Sequence, residues 1–256
     1  MSCLKSFCLL TETLASFRVD SGHGSDIFGG EEVESHTLRF MAFLEPDCGG
    51  ILIDPLWVLT AAHCSELNVV LGVHNTKMKE KEWQLRKVVK SVPHPCYDDV
   101  ERVNDLMLLK LNKPAMQTST VECLRLGRAV EDPLPGTSCL VAGWGETTKN
   151  PTVFKMSDVL RSVNVTVMDR MKCNMLYKWK PFIGRSLVCA GSFSHGIISA
   201  DTCRGDSGGP LLCNGGLVGV TAFGGTCGYT KKPGVYSFLT EKQLRWIHTT
   251  MISTDL

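Results

Sequence analysis

The 256-residue sequence predicts an all-β fold of antiparallel strands closed into barrels or sandwiches, with a helix near its C-terminus. Three observations lead there. From Ile27 onward, short runs rich in β-branched residues alternate with turn residues. Only two stretches carry helical signals. The twelve cysteines point to an oxidised, disulfide-braced chain.

The predicted strands follow in order: Leu67 to Leu71, Trp83 to Val92, Leu106 to Leu111, Cys139 to Gly143, Val159 to Val167 and Leu217 to Phe223. The runs are separated by turn residues, which end regular pairing. The first helical stretch, Asp169 to Lys178, opens on an acidic capping residue. The second, Thr240 to Ile252, opens on a Thr suited to an N-cap and repeats Leu244, Ile247 and Met251 on one face.

Residues 1–26 differ from the rest. Lys5 precedes a short apolar core, Phe7 to Leu10, that Glu12 interrupts. This reads as a poor signal peptide with small residues, Gly22-His23-Gly24, at the cleavage region. A start placed differently from the natural one is the competing reading. The expected division is a signal and short activation peptide over 1–26 and one catalytic domain over 27–256.

Composition excludes several classes. Hydrophobic residues are 43% and charged residues 21%, a folded profile rather than a disordered one. No apolar run reaches the ~18–20 residues of a membrane helix, so no membrane span is expected. With 27 basic and 26 acidic residues, bulk charge gives no drive toward nucleic acid. The cysteines lack C-x-x-C pairs, so a zinc site is disfavoured, and no metal or cofactor is expected.

Chemistry concentrates in three segments. Gly205-Asp206-Ser207-Gly208-Gly209-Pro210 surrounds a serine with small residues, letting the backbone bend and expose the hydroxyl. Taken alone it is also a glycine-rich turn. Leu59-Thr60-Ala61-Ala62-His63-Cys64 puts a histidine after an apolar strand, and Asn104-Asp105-Leu106 puts a carboxylate at the head of another. A lone His or Asp is usually structural. All three contexts, in the order His, Asp, Ser, are hard to reach by accident.

With these segments the chain resembles the trypsin/chymotrypsin-like serine proteases over Ile27 to about Met251. Ile27-Phe28-Gly29-Gly30, Val141-Ala142-Gly143-Trp144-Gly145 and Pro233-Gly234-Val235-Tyr236 carry the likeness further. The resemblance implies two six-stranded antiparallel β barrels, a C-terminal helix and an active site between the barrels. It implies that Ser207 is the nucleophile, His63 the general base and Asp105 the group that orients it. Backbone N–H groups of Gly205 and Ser207 would form an oxyanion hole, each worth roughly 3–4 kcal/mol of barrier. Asp201 would sit at the floor of the specificity pocket, with Gly224 and Gly234 as walls. Polypeptides with Arg or Lys before the scissile bond are the implied substrates.

A new N-terminus at Ile27 would pair with Asp206. The residue before it is Asp26, not the basic residue of a trypsin-activated zymogen. That resembles granule-stored leukocyte proteases, the granzymes, with the A type nearest and the K type next. Ser25-Asp26 would then be an activation dipeptide removed by a dipeptidyl peptidase, and the protein secreted or stored in cytolytic granules. By the same resemblance, disulfides join Cys48–Cys64, Cys139–Cys213, Cys173–Cys189 and Cys203–Cys227. Cys3 and Cys8 fall in the presequence. Cys96 aligns with a cysteine that links a homodimer, against the alternatives of an unlinked thiol or a bond to Cys123. Asn164-Val165-Thr166 is a glycosylation sequon.

The chain departs from the family at Ala222, where a serine usually bonds the orienting aspartate, and at Phe28, where Ile or Val is usual. The A-type granzymes are strongly basic. Without the two basic and three acidic residues of 1–26, this chain keeps 25 basic and 23 acidic. Two other readings compete. One is a catalytically silent homologue acting as a binding or antimicrobial module, which the intact His63, Asp105 and Ser207 disfavour. The other is a digestive trypsin, which lacks support because no basic residue precedes Ile27.

Overall fold

The computed structural model describes residues 30–65, 68–146, 155–194, 197–225 and 232–254. The predicted presequence, Ile27, Phe28 and Cys227 lie outside the described residues.

A short strand β1 (Glu31–Glu32) leads into β2 (Met41–Glu45), β3 (Cys48–Asp54), β4 (Trp57–Thr60), β5 (Asn68–Leu71), β6 (Gln84–Pro93) and β7 (Met107–Leu111). Strands β2 to β7 close into a barrel in the order β2-β3-β4-β7-β6-β5. The second half contains β8 (Ser138–Gly143), β9 (Arg161–Met168), α1 (Arg170–Tyr177), β10 (Leu187–Ser194) and β11 (Ile197–Ala200). It continues with β12 (Pro210–Cys213), β13 (Gly216–Phe223), β14 (Gly234–Phe238) and α2 (Glu241–Ser253). Its sheet runs β1-β9-β8-β12-β13-β14-β10-β11, and an added β9–β10 pairing closes six of these strands into a second barrel. All pairings are antiparallel. The expected pair of six-stranded barrels with a C-terminal helix is the observed architecture.

Each barrel has its own apolar filling. Leu44, Leu52, Val58, Leu71 and Leu109 fill the first, and Val141, Val165, Leu211 and Tyr236 the second. A third cluster joins them: Ile51, Trp57, Leu59 and Leu108 meet Leu217, Val220 and the α2 residues Leu244 and Ile247. At about 1.5–3 kcal/mol per buried large side chain, this seam fixes the barrels against one another and sets the cleft between them.

The helix ends show local rules and one exception. Asp169 caps α1 by accepting the Lys172 N–H at 3.1 Å, as its sequence implied. Thr240 occupies the cap position of α2 but makes no side-chain bond to the backbone. Its hydroxyl pairs instead with the Gln243 side chain, whose amide reaches Asn104 Oδ1 at 2.8 Å.

Three of the implied disulfides are present: Cys48–Cys64, Cys139–Cys213 and Cys173–Cys189. Cys203 is also disulfide-bonded; its expected partner Cys227 lies outside the described residues. Cys96 is an exposed thiol, whereas Cys123 packs against the first barrel's core.

Candidate active site

His63 follows β4, and Asp105 precedes β7, which pairs with β4 in the first barrel. That pairing brings the two side chains together across 42 residues. Asp105 is buried and accepts twice from His63: the ring Nδ1 approaches Oδ2 at 2.6 Å, and the backbone N–H donates to Oδ1 at 3.0 Å. The double contact fixes ring orientation as well as position. Asn104, held at φ +53°, donates from its side chain to the Cys96 carbonyl and accepts from Gln243 of α2. The loop before Asp105 is thereby tied to the C-terminal helix.

Ser207 comes from the second barrel, in the bend before β12. Its carbonyl accepts the Gly49 N–H at 2.7 Å, across the barrel boundary. Gly208 has φ +80°, and a Cβ there would collide with Thr60 Oγ1 and the Gly49 carbonyl. The Thr60 hydroxyl in turn donates to Gly49 O at 2.8 Å. The serine bend therefore lies directly on the strand end that leads to His63. The Cys48–Cys64 bridge braces the same corner. Its sulfurs and a His63 ring nitrogen lie within 4.8 Å of one another, but bonded sulfurs are not thiolate ligands, so this trio does not form a metal site.

The bend also sets the amides. Asp206 N–H donates to Cys203 O, Gly208 N–H to Thr221 O and Gly209 N–H to Asp206 O, at 2.9–3.0 Å. The Gly205 and Ser207 N–H groups donate to none of the described residues. Gly205 has φ +98°, and a Cβ there would lie 3.0 Å from Gly145 Cα and 3.1 Å from Met156 Cε. Only glycine suits both the conformation and the space.

Two carboxylates are buried behind the serine. Asp206 accepts from Gly145 N–H at 2.7 Å and Cys203 N–H at 2.8 Å. Burial pushes its carboxyl up to about 6 despite those bonds. A Cβ at Gly143 or Gly145 would collide with this carboxylate, so the two glycines of the Val141 to Gly145 motif form its cradle. Asp201 accepts from Thr202 N–H and Gly234 N–H, each at 2.7 Å. Burial pushes its carboxyl up to about 8. Gly224 and Gly234 face each other: a Cβ on Gly224 would lie 3.6 Å from Gly234 Cα. Gly234 also lies against Asp201, since its own Cβ would sit 2.6 Å from Asp201 Oδ1.

The structure thus gathers His63, Asp105 and Ser207 at the barrel junction, with Asp201 and Asp206 buried on the second-barrel side. Gly49, Thr60, Asn104, Thr202 and Gln243 were not anticipated. The capping motif Thr240-x-x-Gln243 was a visible signal, but it served a different bond. Ala222 is buried, and Asn164 is exposed on β9.

A family model described as Trypsin matches residues 27–247. Granzyme A of Bos taurus is 45% identical over 232 residues, covering 88% of this chain and 88% of the relative. Kallikrein 1-related peptidase b3 of Mus musculus is 40% identical, covering 89% and 90%. Duodenase-1 of Bos taurus is 38% identical, covering 90% and 91%.

Proposed function

The chain belongs to the trypsin family of serine endopeptidases, and we propose that within it the chain is a secreted or granule-stored enzyme of the granzyme A/K type that cleaves after Arg and Lys. The observation that carries the reading is the doubly held His63–Asp105 pair at the bend of Ser207. A serine hydroxyl is a weak nucleophile at neutral pH and needs an adjacent base. In this reading His63 takes the Ser207 proton as the hydroxyl attacks the scissile carbonyl, then delivers it to the leaving amine. Asp105 holds the ring and stabilises its cationic form. The Gly205 and Ser207 amides receive the oxyanion. Water releases the acyl group by the same steps in reverse order.

Asp201 supports the basic preference. It is a buried carboxylate whose bonds to described residues come from neutral donors, and glycine at 234 lets the backbone close directly onto it. A guanidinium supplies the missing charge. Asp206 supports activation by the same logic: an Ile27 ammonium, freed by removal of Ser25-Asp26 by a dipeptidyl peptidase, neutralises a buried carboxylate that is costly unpaired. The likeness to a granzyme supports the granule assignment, and the disulfides support an oxidising route. Exposed Cys96 supports a disulfide-linked homodimer.

The test uses protein beginning at Ile27. A fluorophosphonate probe labels wild type and not Ser207→Ala, and a positional peptide library shows cleavage after Arg and Lys. Absence of labelling supports the silent-homologue reading instead. Cleavage after aromatic or acidic residues removes the role of Asp201.

A further inference from the structure

The segment from α1 to β10 holds an unusual surface. Trp179 and Phe182 are 47% and 56% exposed, and their rings stack at 6.1 Å with a 12° interplanar angle. Met171 and Met175, one helical turn apart on α1, are also exposed. Around these four apolar side chains stand Lys172, Lys178, Lys180 and Arg185, all exposed. No acidic residue occurs between Asp169 and Asp201 in the sequence. Asp132, which approaches the base of the segment, is taken up by Arg170 at 2.8–2.9 Å. A chain with a net charge of +1 thus concentrates positive charge around exposed aromatic rings.

The rings are held outward. Lys178 and Trp179 both adopt left-handed backbone, at φ +55° and +61°, a conformation that is an outlier for a bulky residue. Such a residue persists when its surroundings over-determine it. Here Trp179 N–H donates to Asn174 O at 2.9 Å, and the Asn174 side chain grips Ile183 from both sides, accepting its N–H and donating to its carbonyl. Ile183 is buried, and Cys173–Cys189 closes the base. The tip between Asn174 and Ile183 therefore cannot fold its rings inward without breaking this clamp.

We propose that this segment docks the protein on anionic phospholipid surfaces. Trp and Phe suit the headgroup boundary, where an amphipathic or apolar ring enters and nearby Lys and Arg meet anionic headgroups. A purely electrostatic polyanion site gains nothing from four exposed apolar side chains; a membrane interface uses both. Tyr177, at the end of α1, contacts Phe223 edge-on at 5.8 Å, and Phe223 adjoins Gly224. Docking through the tip places the cleft beside the lipid surface.

The test uses the full chain carrying Ser207→Ala, so that its outcome does not depend on catalysis. Vesicles of phosphatidylcholine alone and with about 30% phosphatidylserine are compared by flotation. Binding is expected only to the anionic vesicles, with a blue shift of tryptophan emission, since of the five tryptophans Trp57 and Trp144 are buried, Trp83 and Trp246 half-buried, and Trp179 alone exposed. Trp179→Ser with Phe182→Ser is expected to weaken binding at least tenfold and remove the shift, with Tm unchanged within a few degrees. Lys178→Glu with Lys180→Glu is expected to weaken it comparably and remove its salt dependence.

Three results overturn the proposal. One is no binding to anionic vesicles. Another is binding that survives loss of both rings while a sulfated polysaccharide competes, which identifies a polyanion site. The third is lipid-free dimerisation abolished by the ring substitutions, which assigns the patch to a second copy of the chain.

Discussion

Asp201 offers the sharpest test of the specificity reading, because its proton is linked to substrate charge. With its carboxyl raised to about 8 by burial, the empty pocket at pH 7 is mostly protonated. A guanidinium or amidinium binds the ionised form, so its apparent affinity carries the fraction ionised. That fraction weakens binding about 11-fold at pH 7 and about 100-fold at pH 6 relative to a plateau above pH 9. The assay is the inhibition constant of benzamidine from pH 6 to 9.5, competing against a substrate at each pH. Affinity should rise about ninefold from pH 6 to pH 7, more slowly through pH 8, and level off above pH 9. Asp201→Asn keeps the shape but removes the charge. It should abolish that step and lower kcat/KM for Arg substrates by roughly 150- to 5,000-fold, the effect of about 3–5 kcal/mol for leaving a buried charge unpaired.

The linkage has a second consequence of fixed sign. A carboxyl raised on folding stabilises the fold most below its unfolded value near 4, and that contribution is lost as pH rises through about 8. Asp201→Asn should therefore be more stable than wild type at pH 9. A benzamidine constant that is flat across the range, with Arg preference intact in Asp201→Asn, refutes the assignment of Asp201 as the charge that reads the substrate.

Other expectations follow from single contacts. Gly205→Ala places a Cβ at φ +98° against Gly145 and Met156. It should shift the bend and lower kcat by about 10²–10³-fold, the effect of losing one oxyanion donor, as read by steady-state kinetics. Ala222→Ser restores the hydroxyl that the family offers to the orienting aspartate. It should raise kcat about fivefold, the equivalent of one neutral hydrogen bond near 1 kcal/mol, and an unchanged kcat shows that no such bond forms. Cys96→Ser should convert a dimer to a monomer on non-reducing electrophoresis, and a monomer in both lanes ends the dimer reading.

The candidate site was legible in the sequence because its constraints are local. Gly205 and Gly208 take positive φ within two residues of Ser207, and Gly143 and Gly145 cradle Asp206 from one short motif. A constraint that only glycine satisfies leaves its mark at the position itself. What holds these segments together is not local. Gly49 reaches Ser207 from the other barrel, and Gln243 reaches Asn104 across 139 residues. Those bonds use ordinary residue types, and periodicity carries no record of which strand end meets which helix. Strand β6 shows the same limit. Its alternation points Gln84 and Arg86 inward, where apolar side chains would be expected. Arg86 donates to Gln84 Oε1 within the run, but both also need partners outside it: Arg86 donates to Pro114 O, and Gln84 to Met116 O. Burial of a polar group becomes readable only once its partner is known.

Thr240 joins these two cases. Its type and spacing fit a capping box, in which the hydroxyl would bond the backbone N–H three residues on. The hydroxyl pairs with the Gln243 side chain instead, while that side chain holds Asn104 beside Asp105. The helix end thereby exchanges a local cap for a contact that steadies the loop presenting Asp105. The local rule gives way at α2 because the same residues are also bonded to the loop that presents Asp105. Gln243→Ala should thus loosen the Asp105 loop as well as the helix end. A loss of kcat with KM unchanged separates this positioning role from simple helix fraying, which would lower Tm and leave kcat alone.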